Sequence, residues 1–235
     1  MTRRRWIADE FSADRAALTG EHAAHLARTL RARVGQEFEV ACGDRVHRAT
    51  VASVADDRVE FTLGHEVDAG TVLPVTLLLA IFKFDRMEWA IEKCTELNVS
   101  AIVPVIARRT EKHLVLAAEK RVERWRRISR EASEQSRRVA PPEIRDPLKL
   151  TDALSVDATL RIVLSENERE VALNDLLQSR ENASVALAIG PEGGWTEEEL
   201  RAFSKSQWLS ASLGETVLRA ETAAIAALAV ARAAS

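Results

Sequence analysis

The sequence has little of what marks several common classes of protein. It contains only two cysteines, Cys42 and Cys94, which lie far apart and form no CxxC pair, so it offers neither a disulfide framework nor a zinc-binding signature. This cysteine usage predicts a cytoplasmic protein. The net charge is only −3, so a uniformly basic surface is excluded and any nucleic-acid site must be a local patch.

Long apolar runs are also missing. The most apolar stretches, around Val75–Phe82 and Ala223–Ala229, are too short to span a bilayer. The basic start of the chain lacks the apolar run that a signal peptide needs. His22 and His25 share a helical spacing, but no cysteine or carboxylate cluster accompanies them. The sequence therefore predicts no membrane span and no bound metal.

The first 70 residues have the pattern of a small β-rich domain. A helical pattern near Glu21–Arg33 is followed by three β-like runs, separated by the turn dipeptides Gly43-Asp44 and Asp56-Asp57. These runs are Glu37–Cys42, Val46–Val54 and Arg58–Leu63. A linker near residues 65–74 then predicts a domain boundary, with residues 1–70 before it and residues 75–235 after it.

From Val75 onward, strand and helix patterns alternate. Continuous apolar runs predict strands buried on both faces, and helical spacing of apolar residues predicts the helices between them. The predicted strands are Val75–Phe82, Ala101–Ile106, Leu160–Leu164, Val185–Ile189 and Trp208–Leu213. The predicted helices begin at the capping boxes Asp85–Glu88 and Thr196–Glu199 or cover Glu119–Arg138 and Arg219–Ala233. This alternation predicts an α/β fold with a mostly parallel sheet and flanking helices.

Glycine is scarce, and its placement indicates a binding site. Only nine glycines occur, and four of them lie between residues 190 and 214. Gly190–Gly194 directly follows a predicted strand and precedes a capped helix, and Leu213–Arg219 is a second turn from strand to helix. Ligands of open α/β sheets bind at such strand ends, where glycine exposes backbone amides. A lone Gly-Gly is usually an ordinary turn, but the pair of loops predicts a clamp for one flat ligand.

The familiar nucleotide-binding signatures are absent. The sequence has no GxGxxG fingerprint, which disfavours an NAD-type Rossmann enzyme, and it has no P-loop. The two glycine loops instead resemble the paired signature of the ribosomal RNA small-subunit methyltransferase E family, within the SPOUT superfamily. The segments that carry the resemblance are Gly190–Gly194, Leu213–Gly214, Val217–Ala223, Arg86–Leu97, Arg124–Arg138 and the basic start Arg3–Trp6. Asn98 stands where the family usually has glycine, and asparagine can also adopt a left-handed helix cap.

The resemblance implies a specific fold and activity. It implies a trefoil knot in the C-terminal part, a PUA-like, RNA-binding β-barrel at residues 1–70 and a homodimer. It also implies S-adenosylmethionine-dependent methylation of uracil N3 in 16S ribosomal RNA of the small subunit. The cofactor-binding role carries over to Gly190, Glu192, Gly193, Gly194, Leu213, Gly214, Leu218, Arg219 and Thr222, with Leu164 added because it ends another predicted strand.

The chemistry predicts roles for Arg219 and Glu221. Uracil N3 carries a proton and is a poor nucleophile until that proton leaves, so a base or a cation that stabilises the uracil anion would help. We expect Arg219 to play the second role because it directly follows the cofactor loop. Glu221 would accept the proton or orient Arg219. The alternative reading of Glu221 is a first-turn carboxylate favoured by the helix dipole.

Local positive charge is concentrated between Arg108 and Arg138. This segment has 11 Lys or Arg and 5 Glu, a balance of +6. Such a patch would contact RNA phosphates, although Glu–Arg pairs such as Glu123 with Arg127 are the ordinary reading of a charged helix. We predict RNA contact for Arg137 and Arg138, which lie past the best-paired part, and the other predicted contacts are Arg3 and Arg5.

Two alternatives to this function stay open. The first is a SPOUT methyltransferase that acts on a different RNA base, because cofactor loops are shared widely across that superfamily. The second is a catalytically idle RNA-binding or ribosome-assembly protein that keeps the fold. The intact motifs at Gly190–Gly194 and Leu218–Thr222 argue against the second alternative, and measurement of cofactor binding would distinguish it from an enzyme.

Overall fold

The computed structural model describes residues 4–178 and 184–234. The chain divides into two compact units, one of residues 1–71 with 130–141 and one of residues 72–129 with 142–235. The first unit thus includes a segment from the middle of the chain. Arg3, for which RNA contact is predicted, lies outside the described residues.

A six-stranded, mostly antiparallel sheet forms the first unit. Its strands are β1 (Arg5–Ile7), β2 (Glu10–Phe11), β3 (Arg15–Thr19), β4 (Glu37–Cys42), β5 (Arg45–Val54) and β6 (Arg58–Val67), in the order β1-β4-β5-β6-β3-β2. The β1–β4 pair is parallel and the other pairs are antiparallel. Between β3 and β4, α1 (Gly20–Ala24) runs into a π-helical turn at His25–Thr29. The three strands predicted from the sequence are therefore present.

One face of this sheet is buried. Trp6, Leu18 and Leu26 are fully buried in its core, which also contains Val40 from β4 and Phe61 from β6. The β4–β5 hairpin turns through the two-residue loop that the sequence predicts, and its glycine has a φ of 66°. The two-residue loop thus fixes the register of this hairpin.

A seven-stranded sheet forms the second unit. Its strands are β7 (Leu73–Ala80), β8 (Val99–Ile106), β9 (Glu143–Ile144), β10 (Leu148–Lys149), β11 (Leu160–Leu164), β12 (Val185–Ile189) and β13 (Leu209–Ala211). The order is β10-β8-β7-β12-β11-β13, with β9 also paired to β8. Every pairing between these described strands is parallel, as the alternating pattern predicts.

Helices cover both faces of the parallel sheet. They are α2 (Phe84–Glu96), α3 (Lys112–Ala118), α4 (Val122–Gln135), α5 (Leu150–Ala153), α6 (Leu173–Gln178), α7 (Glu197–Lys205) and α8 (Ala220–Ala233). Successive residues of β7 pack against the helices on opposite faces of the sheet. Leu77 packs into the cluster formed by α2, α4, α6 and α8, and Leu78 packs into the cluster formed by α5 and α7. Both faces are therefore apolar, and the ends of the strands are the places left for polar chemistry.

Several local predictions are confirmed. Thr196 accepts a hydrogen bond from the Glu199 amide, and the Glu199 carboxylate accepts one from the Thr196 amide, which completes the predicted capping box of α7. Asn98 follows α2 with a φ of 72°, the left-handed conformation expected for a residue that replaces glycine there.

Two predictions about helices are wrong. Lys83, rather than Asp85, is the N-cap of α2. Glu88 does not complete a capping box, and its carboxylate pairs with Arg124 at 2.7 Å and Arg121 at 3.5 Å. The single helix predicted for Glu119–Arg138 is a 3-10 turn at Glu119–Arg121 followed by α4. Within α4, Glu123 pairs with Arg126 rather than with Arg127.

Candidate active site

Three loops at the carboxyl edge of the parallel sheet surround one cavity. They follow β11, β12 and β13, which are neighbours in the sheet although they are far apart in the sequence. The cavity is lined by Leu164–Asn167, by most of Ile189–Trp195, by Ala211–Gly214 and Thr216–Leu218, and by Ala220 and Ala223 of α8. Because parallel strands all end at the same edge, the fold brings the two predicted glycine loops together and adds a third.

The glycines of these loops have specific structural reasons. Gly194 has a φ of 70° and Gly214 a φ of 119°, a region that side chains disfavour. A Cβ atom at Gly190 would lie 3.2 Å from Trp195 Nε1, and one at Gly193 would lie 3.2 Å from Arg109 Cδ. The turn after β12 is therefore tightly packed and presents its backbone to the cavity.

Arg86 of α2 connects the glycine loop to the start of α8. Its Nη1 lies 2.6 Å from Glu192 Oε1, and its Nε lies 3.9 Å from Glu221 Oε1. Glu221 is buried, and its second oxygen has no hydrogen-bond partner in the described part of the chain. The sequence alone indicates no site role for Arg86, because only the fold brings α2 beside these two loops.

The turn after β8 supports the same glycine loop from another side. The Arg109 guanidinium donates a hydrogen bond to the Gly193 carbonyl. The backbone amide of Arg108 donates to Glu199 Oε1 at 2.7 Å, so the capping carboxylate of α7 also fixes this turn. The loop at Gly190–Gly194 is thus held by Arg86 of α2 and by Arg109, and α7 fixes the turn that carries Arg109.

The chain is similar to known RNA methyltransferases. A family model described as an RNA methyltransferase domain matches residues 70–232. The chain is similar to ribosomal RNA small subunit methyltransferase E of Synechocystis sp., with 34% identity over 217 residues covering 90% of this chain and 71% of the relative. The enzyme of the same name from Rickettsia conorii is 32% identical over 222 residues, covering 92% of this chain and 88% of the relative.

A solved structure extends the similarity to the whole fold. The crystal structure of ribosomal RNA small subunit methyltransferase E from Neisseria gonorrhoeae, bound to S-adenosyl methionine, matches with a TM-score of 0.85 and 30% identity. The match covers 96% of this chain and 95% of that chain. The chain belongs to the ribosomal RNA small-subunit methyltransferase E family.

Most residues that the family resemblance proposed for the cofactor line the cavity. Those that line it are Leu164, Gly190, Glu192, Gly194, Leu213, Gly214 and Leu218. Gly193 lies in the same turn, with its carbonyl facing Arg109. Arg219 and Thr222 are exposed and lie outside the lining, next to residues that belong to it. Their roles in this family member stay predictions.

Two parts of the lining are not among the residues predicted from the sequence. Ser165–Asn167 follow Leu164 at the end of β11, and Trp195 follows the last glycine of the turn. The signal for the first was available, because the rule that ligands bind at strand ends applies to β11 as it does to β12 and β13. For Trp195, which packs edge-on against Phe203 at 5.0 Å, the sequence gives no signal that separates a core residue from a cavity wall.

The arginines predicted to contact RNA differ in exposure. Arg5 is buried and donates to Glu39 and to the carbonyls of Asp68 and Ala69. Arg138 is also buried, and this burial lowers the pKa of its guanidinium to about 10. These surroundings argue against phosphate contact for both. Arg137 is exposed, but it pairs with Glu39 at 2.5 Å.

Two kinds of feature are absent from the part of the chain that the structure describes. Across residues 4–178 and 184–234, no group of three or more His, Cys, Asp or Glu is arranged to hold a metal ion. No helix in those ranges combines the length and apolarity needed to cross a membrane.

Proposed function

We propose that this protein transfers the methyl group of S-adenosylmethionine to N3 of a uracil in the 16S ribosomal RNA of the small subunit. The observation that carries the proposal is the single cavity formed by three strand-end loops, two of which hold the motifs of the family. The relatives that bear the name of a small-subunit rRNA methyltransferase supply the substrate class, and the structure of the Neisseria gonorrhoeae enzyme bound to S-adenosyl methionine supports the cofactor.

The cavity residues fit S-adenosylmethionine chemically. Leu164, Ile189 and Leu218 provide apolar walls that suit the flat adenine ring. The turns at Gly190–Gly194 and Leu213–Gly214 provide backbone amides and carbonyls that suit the polar ribose and amino-acid groups. When bound, the cofactor supplies a methyl group on a positively charged sulfur. Positioning of the uracil against that methyl group is then the main task of the protein.

Arg219 is the candidate for stabilising the uracil anion. It is the N-cap residue of α8 and directly follows Leu218 of the cavity wall. Its side chain is exposed, and no carboxylate of the described residues forms an ion pair with it. A guanidinium held beside the base would favour loss of the N3 proton and would stabilise the negative charge that results.

Glu221 has surroundings that suit positioning better than proton transfer. Its carboxylate is buried and faces the Arg86 guanidinium, which also holds Glu192. Through Arg86 this carboxylate is linked to Glu192, and the link fixes the geometry of the groups around it. We therefore keep Glu221 in the catalytic group, with the role of fixing the start of α8 from which Arg219 projects.

The same family membership supports further proposals about architecture. The unit with the six-stranded sheet is proposed to be a PUA-like RNA-binding domain, covering residues 1–70. Residues 75–235 are proposed to form a SPOUT domain with a trefoil knot in its C-terminal part. Helix α8 is rich in alanine and keeps Ile225 and Val230 only half-buried, which suits the interface of a homodimer. The two cysteines are free and buried, as suits a cytoplasmic protein.

Binding and transfer experiments test the proposal together. Titration calorimetry with S-adenosylmethionine should detect stoichiometric binding, and a labelled methyl group should pass to small ribosomal subunits from a strain that lacks this activity. Binding without transfer would direct the search to another RNA or an assembly intermediate. Absence of binding would contradict the enzyme and favour the idle RNA-binding protein, because such a protein has no reason to retain the cofactor.

A further inference from the structure

Most arginines of the basic segment 108–138 are neutralised by carboxylates of the protein. All but one of these carboxylates lie outside the segment, where the sequence pattern does not identify them as partners. The pairs are Arg121 and Arg124 with Glu88, Arg126 with Glu123 and Asp146, Arg130 with Asp9, and Arg137 with Glu39. The positive charge left for a partner is therefore much smaller than the balance of +6 suggests, and it has to be located residue by residue.

Arg108 and Arg109, in the turn after β8, keep charge that faces solvent. Both side chains are exposed, and neither forms an ion pair with a carboxylate of the described residues. Arg109 uses one N–H donor for the Gly193 carbonyl. A guanidinium has five N–H donors in a fixed, planar arrangement, so most of those of Arg109 stay available. The turn thus presents one free guanidinium and most of a second beside the glycine loop of the cofactor cavity.

The backbone of this turn is fixed before any partner arrives. The Arg108 amide donates to Glu199 Oε1 at 2.7 Å, and Thr110 Oγ1 donates to the Ile81 carbonyl at 3.1 Å. The other oxygen of Glu199 accepts from the Thr196 amide and hydroxyl, so this buried carboxylate is occupied by hydrogen bonds from the protein. The two guanidinium groups therefore project from a rigid base, which reduces the entropy lost on binding.

We propose that Arg108 and Arg109 form a phosphate-binding site for the RNA strand that carries the target base. The inference rests on the proposed function and adds to it a place where the substrate is held. Guanidinium forks match phosphate oxygens, and phosphate contacts position a nucleic acid without reading its sequence. Because Arg109 contacts Gly193, a strand held by this pair passes beside the cofactor cavity, and seating of the strand is coupled to the position of the glycine loop.

The neighbouring acidic groups define the side on which the phosphate sits. Glu111 faces His113 at 3.5 Å, and Glu166 lies against Gly194 on the cavity side of the loop. Glu166 would repel a phosphate there, so the phosphate belongs on the Arg108 side of the turn. This arrangement would leave the cavity side for the uracil base and the cofactor.

Salt-dependent RNA binding tests the site. The probe is small ribosomal subunits that lack the modification, and the proteins are the wild type, Arg108→Ala, Arg109→Ala and the control Arg201→Ala. Arg201 lies on the exposed face of α7 in a pair with Glu197, so its variant makes the same charge change away from the turn. Arg108→Ala should weaken RNA binding roughly tenfold at low salt and reduce the slope of log K against log[salt] by about 1. Its affinity for S-adenosylmethionine should equal that of the wild type.

Variants of Arg109 test whether RNA binding is coupled to the glycine loop or results from charge attraction alone. Arg109→Ala should weaken binding of both RNA and S-adenosylmethionine, whereas Arg109→Lys should recover most of the RNA affinity but not the contact with Gly193. If Arg108→Ala and Arg201→Ala have the same RNA affinity and the same salt slope, the site is wrong. These measurements need no turnover, so they remain decisive for the site even if the methylated nucleoside differs from the one proposed. A wild type that binds S-adenosylmethionine but no small subunits would contradict both the proposed substrate and this site.

Discussion

Two regions of the second unit present their chemistry differently. The cavity at the ends of β11, β12 and β13 presents mainly backbone, through glycine turns that three neighbouring strands bring to one edge. The turn at Arg108 and Arg109 presents side-chain charge, on a backbone fixed by Glu199. A backbone site depends on conformations that only a few residues allow, whereas a charged site depends on which carboxylates happen to lie near. Addition of a single methyl group should thus impair ligand binding in the first region. Changes in charge or in salt concentration should affect binding in the second.

Removal of the Arg219 guanidinium should have the largest effect, since it is the residue expected to stabilise the uracil anion. Arg219→Ala should lower kcat by roughly 10²–10³-fold, as for other groups that stabilise a developing anion. Calorimetry should give a much smaller change in the affinity for S-adenosylmethionine, because Arg219 lies outside the cavity lining. Near-normal turnover with intact cofactor binding would remove Arg219 from the catalytic group.

Addition of a methyl group to the glycine turn tests the backbone side of the comparison. Gly194→Ala would strain a residue with a φ of 70° and place a Cβ atom 3.1 Å from Glu166 Oε1. We expect the affinity for S-adenosylmethionine to fall about tenfold or more, since left-handed backbone costs a side chain roughly 1–2 kcal/mol and the turn would shift to relieve it. Gly70→Ala is the matched control, because Gly70 has a φ of 74° but open space around it. Equal cofactor affinity in the two variants would contradict the backbone account.

A buried carboxyl in the first unit makes stability depend on pH. Burial raises the pKa of Glu134 to about 7, against the opposing effects of Arg4 and Arg130. Because the folded pKa lies above the ordinary value of 4.5, the folded protein binds the proton more tightly, and stability should fall as pH rises from about 4.5 to about 7. Glu134→Gln should therefore raise the free energy of unfolding at pH 8 by about 1 kcal/mol or more and flatten the pH dependence. Urea unfolding at pH 5 and pH 8 measures both, and a variant less stable at pH 8 would show that the charged form is favoured.

The link through Arg86 should give the smallest effect. Arg86→Gln removes the charge that faces Glu192 and Glu221, and partial exposure of Arg86 limits the cost to about 1 kcal/mol. We expect a fewfold loss of cofactor affinity and a lower Tm, both partly restored by Arg86→Lys. The double variant Arg86→Gln with Glu221→Gln should be more stable than the sum of the two single changes predicts. Strict additivity would mean that the two side chains do not interact.

The parts of the fold that could be predicted depend on neighbouring residues. The bounds of β11 and β12 agree with the apolar runs, and Thr196 with Glu199 forms the capping box that their spacing indicates. The glycine turns were found for the same reason, because a turn after a buried strand is a local pattern. The sequence does not predict the two-residue strands β2, β9 and β10, since they are too short to show any periodicity.

The parts that could not be predicted depend on distant residues. Glu88 has the position of a capping residue, but Arg121 and Arg124, more than 30 residues away, hold its carboxylate. Arg137 is separated by 98 residues from Glu39, its partner. Positive charge on a helix therefore indicates RNA contact only where no carboxylate of the protein pairs with it. The fold, and not the local sequence, shows where those carboxylates lie.

The measurement that tests the central proposal most directly identifies the methylated nucleoside. Purified protein and S-adenosylmethionine would be incubated with small ribosomal subunits that lack the modification, and nucleosides from the digested 16S RNA would be analysed by mass spectrometry. The account predicts new 3-methyluridine, present with the wild type and strongly reduced with Arg219→Ala. A different methylated nucleoside would contradict the proposed base, and absence of any new methylated nucleoside despite cofactor binding would contradict the proposed substrate.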